Sequence, residues 1–230
     1  WDEQLGDTDS LSDFIEQAVL STGAPMVLCL DEVDHVFTHS YRDDFFGMLR
    51  GWHNRRATRN LWNRFNLLIS HSTEPGLFIK DLNQSPFNVG TVVRLGDFNH
   101  DEVLWLNGRH GSPISSAEDI ARLIRLVGGH PYLIRQALYA LCSRKMPMTD
   151  LVSAAAADHG PFGDHLRRHL WVLRENSKLR NALRQVLNGR GCDDEDDFQR
   201  LRAAGLLQGE SRAVAKMRCE LYQVYMRKHL

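Results

Sequence analysis

Residues 26–35, Met-Val-Leu-Cys-Leu-Asp-Glu-Val-Asp-His, constrain the fold more than any other stretch of the chain. A short run of continuous apolar residues predicts a strand buried on both faces of a parallel sheet, since half-solvated strands alternate instead. Ligands of such sheets bind beyond the carboxyl ends of the strands, and Asp31-Glu32 falls at that end. An apolar strand closing in Asp-Glu is the Walker B pattern. Its Asp holds, through water, the Mg²⁺ that bridges nucleotide phosphates, and the neighbouring carboxylate orients the attacking water.

The complementary phosphate cradle, G-x-x-x-x-G-K-[ST], needs a Lys followed by a hydroxyl residue. The five lysines, Lys80, Lys145, Lys178, Lys216 and Lys228, precede Asp, Met, Leu, Met and His. Only 25 residues precede the strand, too few for a strand, a phosphate loop, its helix and another strand. The expectation is a piece of a larger protein whose phosphate-binding segment lies upstream, so that this chain alone is inactive. The alternative is a remnant that has lost nucleotide chemistry.

With 230 residues and 43% hydrophobic content, the chain can bury one to three small cores. The net charge of −1 hides an asymmetry, because residues 165–230 carry 14 Lys/Arg against 8 Asp/Glu. That excess is diluted by the acidic run 193–197, which argues against specific nucleic-acid binding. Four scattered cysteines without C-x-x-C spacing, Cys29, Cys142, Cys192 and Cys219, suit free, inert core thiols in a reducing, cytoplasmic setting. No apolar run approaches the ~18 residues of a membrane span, and no signal peptide is visible.

Along the chain, Ser10 is expected to cap a helix carrying Leu11, Phe14, Ile15, Ala18 and Val19, which leads into the strand 26–30. A second helix, 41–57, puts Phe45, Phe46, Leu49 and Trp52 on one face. Phe65–Ser70 reads as another buried strand with a polar exit, Phe87 as the anchor of the long loop 74–90, and Thr91–Leu95 as a short β-branched strand. From Asn99 the pattern turns helical. Asn99 with Glu102 and Ser115 with Glu118 form capping boxes, and Pro131 opens a helix after Gly128-Gly129. Helices near 162–175, 177–188 and 195–204, a small hairpin and a last helix from Glu220 give the helices-then-hairpin order of a winged helix. The fold class is therefore α/β, a partial P-loop NTPase core with a parallel sheet, followed by an all-α helical lid and a winged-helix domain. The expected bounds are 1–97, 98–158 and 159–230.

Several pieces together, Leu28–Phe37, Asp44–Arg50, His71–Glu74, Gln84–Gly90, Gly128–Leu133 and Leu221–Tyr225, resemble the bacterial AAA-like ATPases of the STAND group, signal-transduction ATPases with a nucleotide switch. The resemblance spans nearly the whole chain in the family's order. It implies that Asp31 and Glu32 are the Walker B pair and that Ser72 or Thr73 senses the γ-phosphate. It also implies that Gly129-His130-Pro131 is the G-x-P motif of the lid, which packs on the adenine. The implied ligands are ATP or ADP with Mg²⁺ near Asp31, available only with the upstream segment. The implied partners are other domains of the same protein and, for an oligomer, further copies.

Competing readings exist for the same residues. Asp31, Asp34 and His35 would make a divalent-metal cluster of a nuclease or phosphatase, but nothing else at motif spacing supports it. His35/His39 and His165/His169 stand four apart, the spacing of paired metal ligands on a helix; the arginines of His165-Leu-Arg-Arg-His169 argue against a cation there. Arg50, Arg55, Arg56 and Arg59 read as a solvated face, with an arginine finger as the minority option. His130 reads as a turn or cap residue, and Trp1, Trp52, Trp62, Trp105 and Trp171 as packing residues. The functional alternatives to the switch are a pseudo-ATPase protein-interaction module and a winged-helix nucleic-acid-binding regulator.

Overall fold

The computed structural model describes residues 6–72, 75, 78–79 and 85–230. The chain divides into two compact units, residues 1–93 and 94–230. No helix among the described residues is long and apolar enough to cross a membrane.

In the first unit, α1 (Asp7–Phe14) continues through a wide turn, Ile15–Val19, and a 3₁₀ turn, Leu20–Thr22, that ends at Gly23 with φ 81°. The helix starts earlier than the expected cap at Ser10. Gly6 caps it, Asp7 and Asp9 sit at the positive end of its dipole, and Ser10 is buried inside it. Ser12 explains why a second hydroxyl is buried beside it. Its Oγ donates to the Thr8 carbonyl at 2.7 Å and accepts from Trp52 Nε1 at 2.8 Å.

β1 (Met26–Leu30) pairs in parallel with β2 (Phe65–Ile69), with Met26 opposite Phe65 and Leu30 opposite Ile69. Between them α2 (Arg42–Arg55) buries Phe46, Leu49 and Trp52. Trp52, Trp62 and Phe65 pack with ring centroids 5.4–6.0 Å apart. Glu16 closes the edge of this cluster: Trp62 Nε1 donates to it at 2.9 Å and Arg59 forks onto both its oxygens at 2.7 and 2.8 Å. The Trp62 hydrogen bond and the Arg59 charge hold this carboxyl below its ordinary range. Phe87, as expected, anchors its loop by packing 5.2 Å from Phe46.

Two sequence expectations are corrected here. The strands are not buried on both faces: Met26, Leu28 and Leu30 turn toward the core, whereas Val27 is 60% and Leu68 59% exposed. Apolar content alone does not tell a two-faced strand from one whose second face is uncovered. Thr91–Leu95 is not a strand, and Val93 and Leu95 are 75% and 94% exposed. β-branched residues favour a sheet through cross-strand packing, and no strand neighbours this segment among the described residues.

The second unit opens with α3 (His100–Arg109), whose Asn99–Glu102 capping box is present in both directions. α4 (Ala117–Val127) is capped by Ser116 rather than Ser115, and Gly128 ends it in the left-handed region. α5 (Pro131–Ser143) begins at Pro131, and a short α6 (Met148–Ser153) that sequence patterning missed follows. Then come α7 (Gly163–Glu175), α8 (Ser177–Leu187) and α9 (Glu195–Ala203). An antiparallel hairpin of β3 (Leu207–Gln208) and β4 (Lys216–Met217) leads to α10 (Glu220–His229). A single buried core running from Val103 to Met226 is shared by segments 98–158 and 159–230.

Not every aromatic or thiol expected inside is there. Trp52 and Trp62 are buried, but Trp105 and Trp171 are 67% and 65% exposed; Trp1 lies outside the described residues. Trp105 instead lies under the Arg109 guanidinium, 5.7 Å from its ring centre. All four cysteines are free, with Cys192 and Cys219 buried and Cys29 and Cys142 exposed.

Candidate functional site

The carboxyl ends of β1 and β2 meet in a small polar knot. Their parallel register carries the chain one residue beyond the Leu30–Ile69 pair on each side, which sets Asp31 beside Ser70. Ser70 N donates to the Leu30 carbonyl at 2.9 Å, and Val33 N donates to the Ser70 carbonyl at 3.2 Å. The Ser70 hydroxyl donates to Asp31 Oδ1. The same carboxylate oxygen accepts Glu32 N at 3.0 Å, and Ser70 Oγ accepts that amide at 3.2 Å.

Glu32 adopts φ 53°, ψ 44°. This left-handed conformation is costly for a residue with a Cβ, and such strain persists where surrounding contacts enforce it. Here the enforcing contacts are the Asp31 and Ser70 oxygens on its amide. The turn throws the Glu32 side chain outward, 76% exposed, within 3.6 Å of His35 Nε2. A strand end carrying one pinned and one outward-facing carboxylate can hold a hard cation and orient water.

Ser72 does not face Asp31. Its amide donates to Asp34 Oδ1 and Oδ2 at 3.1 and 3.0 Å, and its hydroxyl donates to Oδ1 at 3.4 Å. The other expected sensor, Thr73, lies outside the described residues. The hydroxyl beside Asp31 is Ser70, which sequence reading passed over. Its signal was its place at the end of an apolar strand, but which strand-end residue faces Asp31 depends on register. Asp31, Asp34 and His35 do not assemble the competing metal cluster, and no group of three or more His, Cys, Asp or Glu among the described residues is placed to hold a metal ion.

Three arginines of α2 and its exit, Arg50, Arg55 and Arg59, have internal duties. Arg50 donates to Asn88 Oδ1 and to the Ser85 carbonyl. Arg55 lies 3.9 Å from Glu16 and over the Trp62 ring, and Arg59 forks onto Glu16.

In the second unit, Gly128 and Gly129 both have positive φ, 67° and 74°. A Cβ on Gly129 would meet the Phe98 carbonyl at 2.4 Å, and one on Gly128 the Arg218 carbonyl at 2.8 Å. Phe98 N donates to the Gly129 carbonyl at 2.9 Å. The Gly-Gly turn is thus wedged between segments 97–98 and 218–219, and Pro131 starts α5 just beyond it. His130 holds the cap position without a side-chain cap hydrogen bond. Its ring instead packs edge-on to His165 and Tyr222, and its buried Nδ1 has no hydrogen-bond partner among the described residues. Burial, reinforced by Arg218, lowers its pKa to about 4.

The chain matches the AAA-like domain family over residues 1–228, and it belongs to that family. Membership points to a nucleotide-binding, ATPase-like module, consistent with carboxylates at the ends of parallel strands. The chain is also similar to an uncharacterized WD repeat-containing protein of Synechocystis, with 30% identity over 138 residues. The matched region is 58% of this chain but only 12% of that relative. No solved structure matches the chain significantly.

Proposed function

We propose that this chain supplies the Walker B, sensor and lid portions of a STAND-type AAA-like ATPase, a nucleotide-dependent signalling switch. The observation that carries the reading is the Asp31–Ser70–Glu32 knot. The donor set fits the implied cation: Asp31 uses Oδ1 for two internal hydrogen bonds and leaves Oδ2 without a partner among the described residues, and hard oxygen donors are what Mg²⁺ selects. When bound, Mg²⁺ would neutralise charge on the nucleotide phosphates. Asp31 is the residue to hold it through water, Ser70 keeps that carboxylate oriented, and Glu32 is placed to orient a water. In this reading Ser72 or Thr73 senses the terminal phosphate; Ser72 is fixed to Asp34 for that role. Gly129-His130-Pro131 packs on the adenine.

The phosphate cradle comes from another segment, since no Lys here is followed by Ser or Thr. A likeness to 12% of a WD repeat-containing protein supports a domain that works inside a larger, multi-domain protein. Residues 159–230 are read as the winged helix of the switch, with partners in the other domains of the same protein. The arginines of that region support contacts within the chain over nucleic acid: Arg184 donates to the Leu230 carbonyl, Arg227 to the Leu187 carbonyl, and Arg218 pairs with Asp97. Free cysteines suit the cytoplasm. The test is nucleotide turnover by the protein carrying this domain and its phosphate-binding segment, with and without Glu32→Gln.

A further inference from the structure

The second unit contains a cluster of nitrogen and oxygen ligands that the nucleotide reading does not use. His165 and His169 project from successive turns of α7 with their Nε2 atoms 3.1 Å apart. The Tyr222 hydroxyl, on α10, lies 2.7 Å from the same His165 Nε2. The two imidazole rings stand nearly perpendicular, 84° apart, with centroids at 4.5 Å, and Tyr222 packs 5.8 and 5.6 Å from them.

This arrangement overcommits one atom. An imidazole nitrogen has either one proton to donate or one lone pair to offer, yet His165 Nε2 faces two polar partners. With two neutral histidines, only one of these contacts can be a hydrogen bond made through that atom. The other partner is left half satisfied in a largely buried place, where that is costly.

An ion at the convergence point resolves the conflict. Two imidazole nitrogens each ~2.0–2.1 Å from Zn²⁺ lie roughly 3.0–3.4 Å from each other in cis or tetrahedral coordination, the separation seen here. We propose that His165, His169 and Tyr222 form a binding site for a divalent first-row transition metal ion such as Zn²⁺, clipping α7 to α10.

The surroundings are compatible. Arg167 turns to Asp164, and the repulsion that Arg168 adds at the two rings comes from an exposed side chain that solvent screens. Arg218, the other nearby cation, is paired with Asp97. His165 also lines a cavity of about 240 Å³ with Tyr132, Gln136 and Arg167. Imidazole with a phenol oxygen suits Zn²⁺ or Cu²⁺ better than Mg²⁺ or Ca²⁺, so this site is distinct in chemistry from the one proposed at Asp31.

The experiment titrates Zn²⁺, and separately Co²⁺, into the full 230-residue chain carrying Cys29→Ser and Cys142→Ser, which removes the exposed thiols. Calorimetry should show one saturable equivalent, and Co²⁺ should give visible d–d absorption. His169→Gln or His165→Gln should weaken binding at least tenfold, with Tyr222→Phe also weaker. In parallel, Zn²⁺ added to the chain with both histidines intact should shift the imidazole NMR resonances of His165 and His169, a readout that needs no variant to fold. Absence of saturable binding, binding undiminished by the histidine changes, or unmoved imidazole resonances overturns the proposal.

Discussion

The Ser70 hydroxyl donates a hydrogen bond to the Asp31 carboxylate across the ends of two parallel strands, 39 residues apart in sequence. This contact ties the acidic end of β1 to the polar end of β2 and, with the Glu32 amide shared between both oxygens, fixes the direction of two carboxylates. Replacing Ser70 by Ala removes two exposed hydrogen bonds, one donated to Asp31 and one accepted from the Glu32 amide. We expect it to lower stability by only about 1 kcal/mol, while weakening the Mg²⁺-dependent part of nucleotide affinity in the larger protein. Urea titration beside calorimetry with and without Mg²⁺ separates the effects. Equal loss of affinity in both would contradict a role through Asp31.

Glu32 holds φ 53°, and the strain is attributed to function rather than to stability. Glu32→Gly should therefore raise stability, by on the order of 0.5–1 kcal/mol once the extra backbone freedom of the unfolded chain is offset. A lowered urea midpoint would show that the side chain contributes stabilising contacts absent from this account.

At Gly129 both the positive φ and the 2.4 Å approach of the Phe98 carbonyl to a built Cβ oppose any side chain. Gly129→Ala should cost at least about 2 kcal/mol, since backbone strain and a backbone clash add. A thermal-melting shift of less than two degrees would contradict the wedge described for this turn.

The histidine cluster makes a pH prediction. His130, His165 and His169 fall from an ordinary value of 6.5 to about 4, because burial penalises the charged ring and Arg168 and Arg218 add repulsion, partly offset for His130 by Asp97. Between pH 6.5 and 4 the unfolded chain binds protons that the folded chain refuses, so stability is full above about pH 6.5 and declines toward pH 4. Melting temperatures across that window should fall, and His169→Gln should flatten the slope. An unchanged slope in His169→Gln would place the titration elsewhere.

Local signals carried much of the fold. The Asn99–Glu102 capping box, Pro131 at a helix start, Gly205 after α9 and the apolar runs of β1 and β2 depend on neighbours a few residues away, and these elements stand where the pattern puts them. What depended on distant partners was not legible. Ser70 rather than Ser72 meets Asp31 because of strand register, and Thr91–Leu95 stays unpaired despite its β-branched residues. Ser10 looked like a cap, yet its helix begins at Asp7 and buries it. The His165–His169 spacing was visible, but its meeting with Tyr222 required α7 and α10 to pack together.

The central claim is that Asp31 and Glu32 serve nucleotide hydrolysis in the protein that carries this domain with its phosphate-binding segment. The most direct measurement is ATP turnover and ATP binding by that protein with Glu32→Gln. The account predicts turnover reduced at least a hundredfold, the scale of losing a positioned acid–base group, with ATP affinity retained. Hydrolysis at the unsubstituted rate would contradict it.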